Sequence, residues 1–218
     1  MSERDDPPIA DGCREAEALV AERRRMFGAE HPETLAAMLA LADCRWAQGR
    51  LIAARRLEEA VVAGRRRHFG DGHVLTLKAI GKLAVTLAAQ GDLAAAQRLQ
   101  EEVVAGMRRL FGEEDRETLR AVNNLTGTVA AMGDIDRARA LLEAVLAVQH
   151  RVFGADDADT LTAMGNLAAL LWQQGEPAEA HALQLEMVEA CRRAFGEDAE
   201  QTRAALAALA VMERGAAF

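Results

Sequence analysis

Few side chains in this 218-residue chain are of a type and spacing that could do chemistry. The one serine is Ser2, which removes any serine-nucleophile mechanism. Cys13, Cys44 and Cys191 are far apart, odd in number and in no metal-ligand spacing. No disulfide framework is expected from them, and a reducing compartment follows. Cys191 stands beside Arg192 and Arg193, whose charge could lower a thiol pKa, but a buried, inert thiol is the favoured reading. Of the five histidines (His31, His68, His73, His150, His181), only His68 and His73 lie close together. They straddle a glycine-containing loop without cysteine or carboxylate partners at ligand spacing, so they read as loop or helix-end residues. The acid pairs Glu58–Glu59, Glu101–Glu102 and Asp156–Asp157 are adjacent, and helix neighbours point about 100° apart. They read as solvated-face or helix-start residues, not as a general acid–base pair. Neither a phosphate loop nor a dinucleotide fingerprint is present. No catalytic residue, metal or cofactor is expected.

The elements behind these residues are helices. Half of the chain is apolar, rich in Ala and Leu with Arg and Glu between, and it holds four prolines, six phenylalanines and no tyrosine. Such a composition favours helix over strand and predicts an all-α fold. The net charge of −8 excludes the basic footprint of a nucleic-acid binder and a polybasic membrane anchor. No apolar run reaches the length of a membrane span. The opening MSERDDPPIADG lacks an apolar core, so no signal peptide is expected and a cytoplasmic location follows.

A 42-residue step organises the chain. Phe-Gly recurs at 27–28, 69–70, 111–112, 153–154 and 195–196. Thr34, Thr76, Thr118, Thr160 and Thr202 keep the same step. Gly49, Gly91, Gly133 and Gly175 divide the units, followed at a fixed offset by Ala54, Ala96, Ala138 and Ala180. Each unit reads as two helices. Helix A runs over about 32–48, 74–90, 116–132, 158–174 and 200–213, with Met38/Leu41/Ala42, Ile80/Leu83/Ala84, Val122/Leu125/Val129 and Met164/Leu167/Ala168/Leu171 inward. Helix B follows the dividing glycine and buries Leu57/Val61, Leu99/Val103, Leu141/Val145 and Leu183/Met187. Its basic end and the glycine after it suit a helix C-terminus. About ten helices result. A tail at 1–10 precedes a half repeat at 11–28, repeats at 29–70, 71–112, 113–154 and 155–196, a terminal helix at 200–213 and a short tail at 214–218.

The small residues at the helix–helix contacts, Gly49/Ala54 and their repeats, resemble the tetratricopeptide repeat (TPR). The 42-residue step, GAEHPETL at 28–35 and TAMGNLAALLWQQGEPAEAHAL at 162–183 are similar to its bacterial kinesin-light-chain-like branch. The resemblance spans residues 11–213. It implies an α-solenoid of antiparallel helix pairs, a right-handed superhelix with A helices on the concave wall. Two departures are His-Pro, present only at 31–32, and Arg45 at a usually apolar inward position.

Rare residues mark one wall of that expected solenoid. Lys78 and Lys82 are the chain's only lysines, and Asn123, Asn124 and Asn166 its only asparagines. All five lie on A helices, and Arg120 shares the phase of Lys78. Mid-helix asparagine is mildly unfavourable, so its concentration there asks for a reason. In the resembled family, asparagines at this phase bond a peptide backbone. Lys78, Lys82, Arg120, Asn123, Asn124 and Asn166, with Trp172 as a minority aromatic, are therefore the candidate peptide-binding residues. No acid occupies the groove phases of repeats two to four, so an acidic segment is the expected partner. The lysine–asparagine clamp that grips a chaperone C-terminus is absent, since Leu39, Asp43, Gly81 and Val85 stand at its positions. The last helix reads AALAALAVM at 204–212, apolar nearly all round, so Leu206, Leu209, Val211 and Met212 are candidates for homodimer formation. The expected function is a non-catalytic protein- or peptide-binding adaptor. The alternatives are a homo-oligomeric scaffold joined through that helix and a regulatory module of a separately encoded effector.

Overall fold

The computed structural model describes residues 7–215, with side chains from Gly12 onward. It holds ten helices and, among the described residues, no strand: α1 (Pro7–Phe27), α2 (Pro32–Ala47), α3 (Leu51–Phe69), α4 (Val74–Ala89), α5 (Leu93–Phe111), α6 (Arg116–Ala131), α7 (Ile135–Phe153), α8 (Ala158–Gln173), α9 (Pro177–Phe195) and α10 (Glu200–Gly215). The even-numbered helices each have 16 residues, and α3, α5, α7 and α9 each have 19. α1 begins at Pro7, within the span expected as a tail at 1–10; residues 1–6 and 216–218 lie outside the described residues.

Local chemistry sets these boundaries. At positions 31, 73, 115 and 157 a side chain caps helix A by accepting from the backbone N–H two residues on. His31 and His73 do so through Nδ1 at 3.2 Å each, and Asp115 and Asp157 through a carboxylate at 2.9 and 3.0 Å. Two of the five histidines are thus helix caps. Each B helix ends at its Phe-Gly, where the glycine takes a φ near +90° that a side chain would strain, as at Gly70 (86°) and Gly112 (92°). In the first and last copies the repeating threonine ties the next helix to that turn: Thr34 and Thr202 donate to the carbonyls of Gly28 and Gly196 at 2.7 Å.

The chain divides into two compact units, Met1–Leu110 and Phe111–Phe218. In the first, Leu35 of α2 packs into Gly64 of α3, and Leu77 of α4 into Gly106 of α5. A Cβ at either glycine would fall within 2.7 and 2.5 Å of the leucine methyls. In the second, Leu161, Met164, Val188, Cys191, Ala205 and Leu209 form one core between α8, α9 and α10. The inward A-helix residues named above are buried throughout. On the B helices Ala54, Ala96, Ala138 and Ala180 are buried at 0 % exposure, whereas Leu57, Leu99, Leu141 and Leu183 are only half-buried.

Two expectations are corrected here. Cys13 and Cys44 form a disulfide, with Cα atoms 5.5 Å apart. Their 31-residue separation conceals a spatial meeting, because α1 and α2 pack side by side. Glu58 is not on a solvated face: it is 2 % exposed and accepts a hydrogen bond from Thr86 Oγ1 at 2.9 Å. The unusual inward Arg45 is accommodated by charge, pairing with Glu17 of α1 and donating to Gln48 at 3.0 Å.

Candidate functional site

In the first unit, the helical period puts Lys78, Lys82 and Val85 on one exposed face of α4. The Lys82 ammonium pairs with the carboxylate of Asp43 on α2, both side chains about half exposed. In the second unit, Arg120 and Asn124 of α6 and Asn166 of α8 are exposed, and Asn123 is half-buried. Asn166 Nδ2 donates to Asn123 Oδ1 at 3.3 Å, which joins α6 to α8. Arg120 Nε donates to Asp159 at 2.7 Å, with Glu117 3.7 Å from the same guanidinium. Asp43, at a groove position of the first repeat, and Asp159, outside the groove phases, therefore reach Lys82 and Arg120, so this chain already supplies carboxylates to both cations.

Arg116 completes the α6–α8 junction, and the search for rare residue types missed it. It bonds both oxygens of Asp157 at 2.9 and 3.0 Å, pairs with Asp159 and lies 4.2 Å over the Phe153 ring. Hydrogen bonds from Arg116 hold the Asp157 carboxyl below its usual range. The signal lay in spacing, since 41 and 43 residues bracket one repeat.

Other candidates turn inward. Trp172 is half-buried, and its ring lies against the last turn of α10: a Cβ at Gly215 would sit 2.8 Å from its Cζ2. It is a packing anchor within the unit. Of the four candidate association residues, Leu209 and Met212 are buried at 8 % exposure each and Leu206 is half-buried. They pack on α9 and the rest of their own unit, which leaves Val211 exposed at 57 %. Burial pushes the Cys191 thiol up, away from the reactive thiolate. Among the described residues, no three His, Cys, Asp or Glu side chains group to hold a metal ion, and no helix is long and apolar enough to cross a membrane. What the two faces offer is hydrogen bonding by amides and exchangeable ion pairs.

A tetratricopeptide repeat family model matches residues 75–148 and 127–191, more than half of the chain, and a second such model matches 34–75. The chain belongs to the tetratricopeptide repeat family. No curated protein matches this TPR chain by sequence. Among solved structures it is similar to nearly identical TPR-like repeats assigned to a kinesin light chain of Podosopora anserina. There identity is 26 %, coverage is 85 % of this chain and 87 % of that one, and the TM-score is 0.73. BtubC (BKLC) from P. vanneervenii matches with a TM-score of 0.77 over 96 % of this chain and 84 % of that one; at 18 % identity it shows the fold. The TPR fold is consistent with a protein-interaction adaptor.

Proposed function

We propose that this TPR protein is a non-catalytic adaptor whose A-helix faces hold an extended, acidic segment of a partner protein. One observation carries the reading: all three asparagines, poor mid-helix residues, lie on A helices, and Asn123 and Asn166 meet across α6 and α8. An exposed amide both donates and accepts, so it can pair with peptide N–H and C=O groups whatever the peptide's sequence. Lys82 on its unit and Arg120 on the other add cationic points, for which a partner's carboxylates compete with Asp43 and Asp159. Exposed pairs of this kind are worth below about 1 kcal/mol each, so exchange is cheap. Affinity capture with wild type and with a Lys82→Glu/Asn124→Ala variant, followed by mass spectrometry, tests the reading. Partners lost with the variant support it, and an unchanged set of partners refutes it.

A second reading, self-association through α10, keeps Val211 as its support, because that side chain is large, apolar and 57 % exposed.

A further inference from the structure

The first two turns of α3 and the end of α4 enclose an open cleft of about 850 Å3. Its walls include Arg50, Ile52, Arg55, Arg56, Glu59 and Gln90. Ile52, Arg55, Arg56 and Glu59 are three or four residues apart and so share a face of α3. Arg55 is answered within the chain: its Nε donates to Glu59 at 2.8 Å, a second nitrogen reaches Gln90 at 3.3 Å, and Asp92 adds attraction. Arg50 and Arg56 are exposed and have no ion-pair partner among the described residues. Ile52 between them is 68 % exposed, more than any other large apolar side chain described. Three guanidiniums against one carboxylate thus line this cleft, in a chain whose net charge is −8.

The same place two repeats on has the opposite charge. Asp134 stands for Arg50, Asp136 for Ile52 and Ala140 for Arg56, while Arg139, Glu143 and Gln174 keep the places of Arg55, Glu59 and Gln90. There Arg137 stands for Ala53, and Arg139 is held by Glu143 at 2.7 Å, Glu176 at 2.6 Å and Glu179 at 3.4 Å. The hairpin folds with either set, so folding alone does not account for Arg50, Ile52 and Arg56.

We propose that this cleft is a docking site for an acidic segment of a partner protein in which a large apolar side chain lies between the acids. Arg50 and Arg56 take carboxylates through their planar forks, and Ile52 is covered by the apolar side chain. Charge complementarity sets the partner's sign, and the exposed isoleucine sets the need for an apolar anchor. The site does not depend on the α4 face binding anything.

The test follows the anisotropy of a fluorescein-labelled peptide, Glu-Glu-Leu-Glu-Glu-Leu-Glu-Glu. The comparison is made in a chain carrying Lys82→Glu, with and without Arg50→Asp/Arg56→Ala. The two added substitutions install residues that the repeat at 134 and 140 already carries, and circular dichroism checks that the helices remain. The proposal expects the peptide to bind the Lys82→Glu chain and to bind the further variant at least about fivefold more weakly, as loss of two exposed charge contacts implies. Ile52→Asp weakens binding as well. Equal binding by the two chains overturns the proposal, as does equal binding of a peptide with Lys in place of Glu. If Lys82→Glu alone abolishes binding, the α4 face stands and the cleft falls.

Discussion

The Lys82 ammonium rests on the carboxylate of Asp43, 39 residues earlier, so the candidate cation of α4 is answered from the preceding repeat. A partner's carboxylate must displace Asp43 to reach it. Asp43→Asn is therefore expected to tighten binding of an acidic peptide a few-fold, since exposed pairs contribute below about 1 kcal/mol, and to leave the melting temperature nearly unchanged. Isothermal titration of both proteins measures this. Weaker binding by Asp43→Asn would show that Asp43 assists the partner instead.

The Cys13–Cys44 bond closes a loop of 31 residues. In the chain-entropy account such a loop contributes about 3–4 kcal/mol. A dithiol reductant is expected to lower the urea midpoint of wild type and to leave that of a Cys13→Ser/Cys44→Ser variant where it is. Under denaturing, non-reducing conditions a thiol titration should find Cys191 alone.

Glu58 gives stability a pH dependence of unusual sign. Burial pushes its carboxyl above the usual range, against the smaller lowering by the Thr86 hydrogen bond. Between the unfolded and the raised folded pKa, the folded chain holds a proton that the unfolded chain has lost, so this group's stability contribution falls as pH rises. Asp157 runs the other way: its depressed pKa contributes stability above the ordinary range and loses it as pH falls through the folded value. Glu58→Gln installs the residue type found at Gln100 and Gln184, both buried at the same repeat position. It is expected to raise stability at neutral pH by about 1 kcal/mol, a gain typical of consensus substitutions. In urea denaturation the advantage should shrink on acidification.

The two faces of α10 should respond differently to charge. Leu209 is 8 % exposed within the core of the second unit, so Leu209→Glu buries a carboxylate and costs on the order of 3 kcal/mol or more. Val211→Glu, on the exposed side, should cost less than about 0.5 kcal/mol. Light scattering of Val211→Glu then tests self-association without unfolding the helix. An association state that stays the same in this variant would count against α10 as an interface.

The repeating elements were legible because each copy restates the same pattern. Five Phe-Gly turns and five buried threonines fix the helix boundaries to within a residue or two. What departed from the pattern was harder to read. Cys13 and Cys44 lie on adjacent helices, one of them a half repeat, so no 42-residue partner announces their meeting. Glu58 looks like its neighbour Glu59 in sequence, and only the packing of α3 on α4 separates them. Of the rare lysines and asparagines, Lys78, Lys82, Asn124 and Asn166 lie at exposed A-helix positions and Asn123 at a half-buried one. That Asp43 and Asp159 pair with Lys82 and Arg120 was not legible, because each sits at another phase than the cation it meets.

The most direct measurement of the adaptor reading is a titration of acidic peptides at two ionic strengths against wild type and Lys82→Glu/Asn124→Ala. The account predicts wild-type dissociation constants on the order of micromolar, weakened by salt that screens charge over about 10 Å at 0.1 M. It also predicts binding weaker by about tenfold in the variant. If the variant binds every hit as tightly as wild type, the A-helix faces do not hold the partner and the account is contradicted.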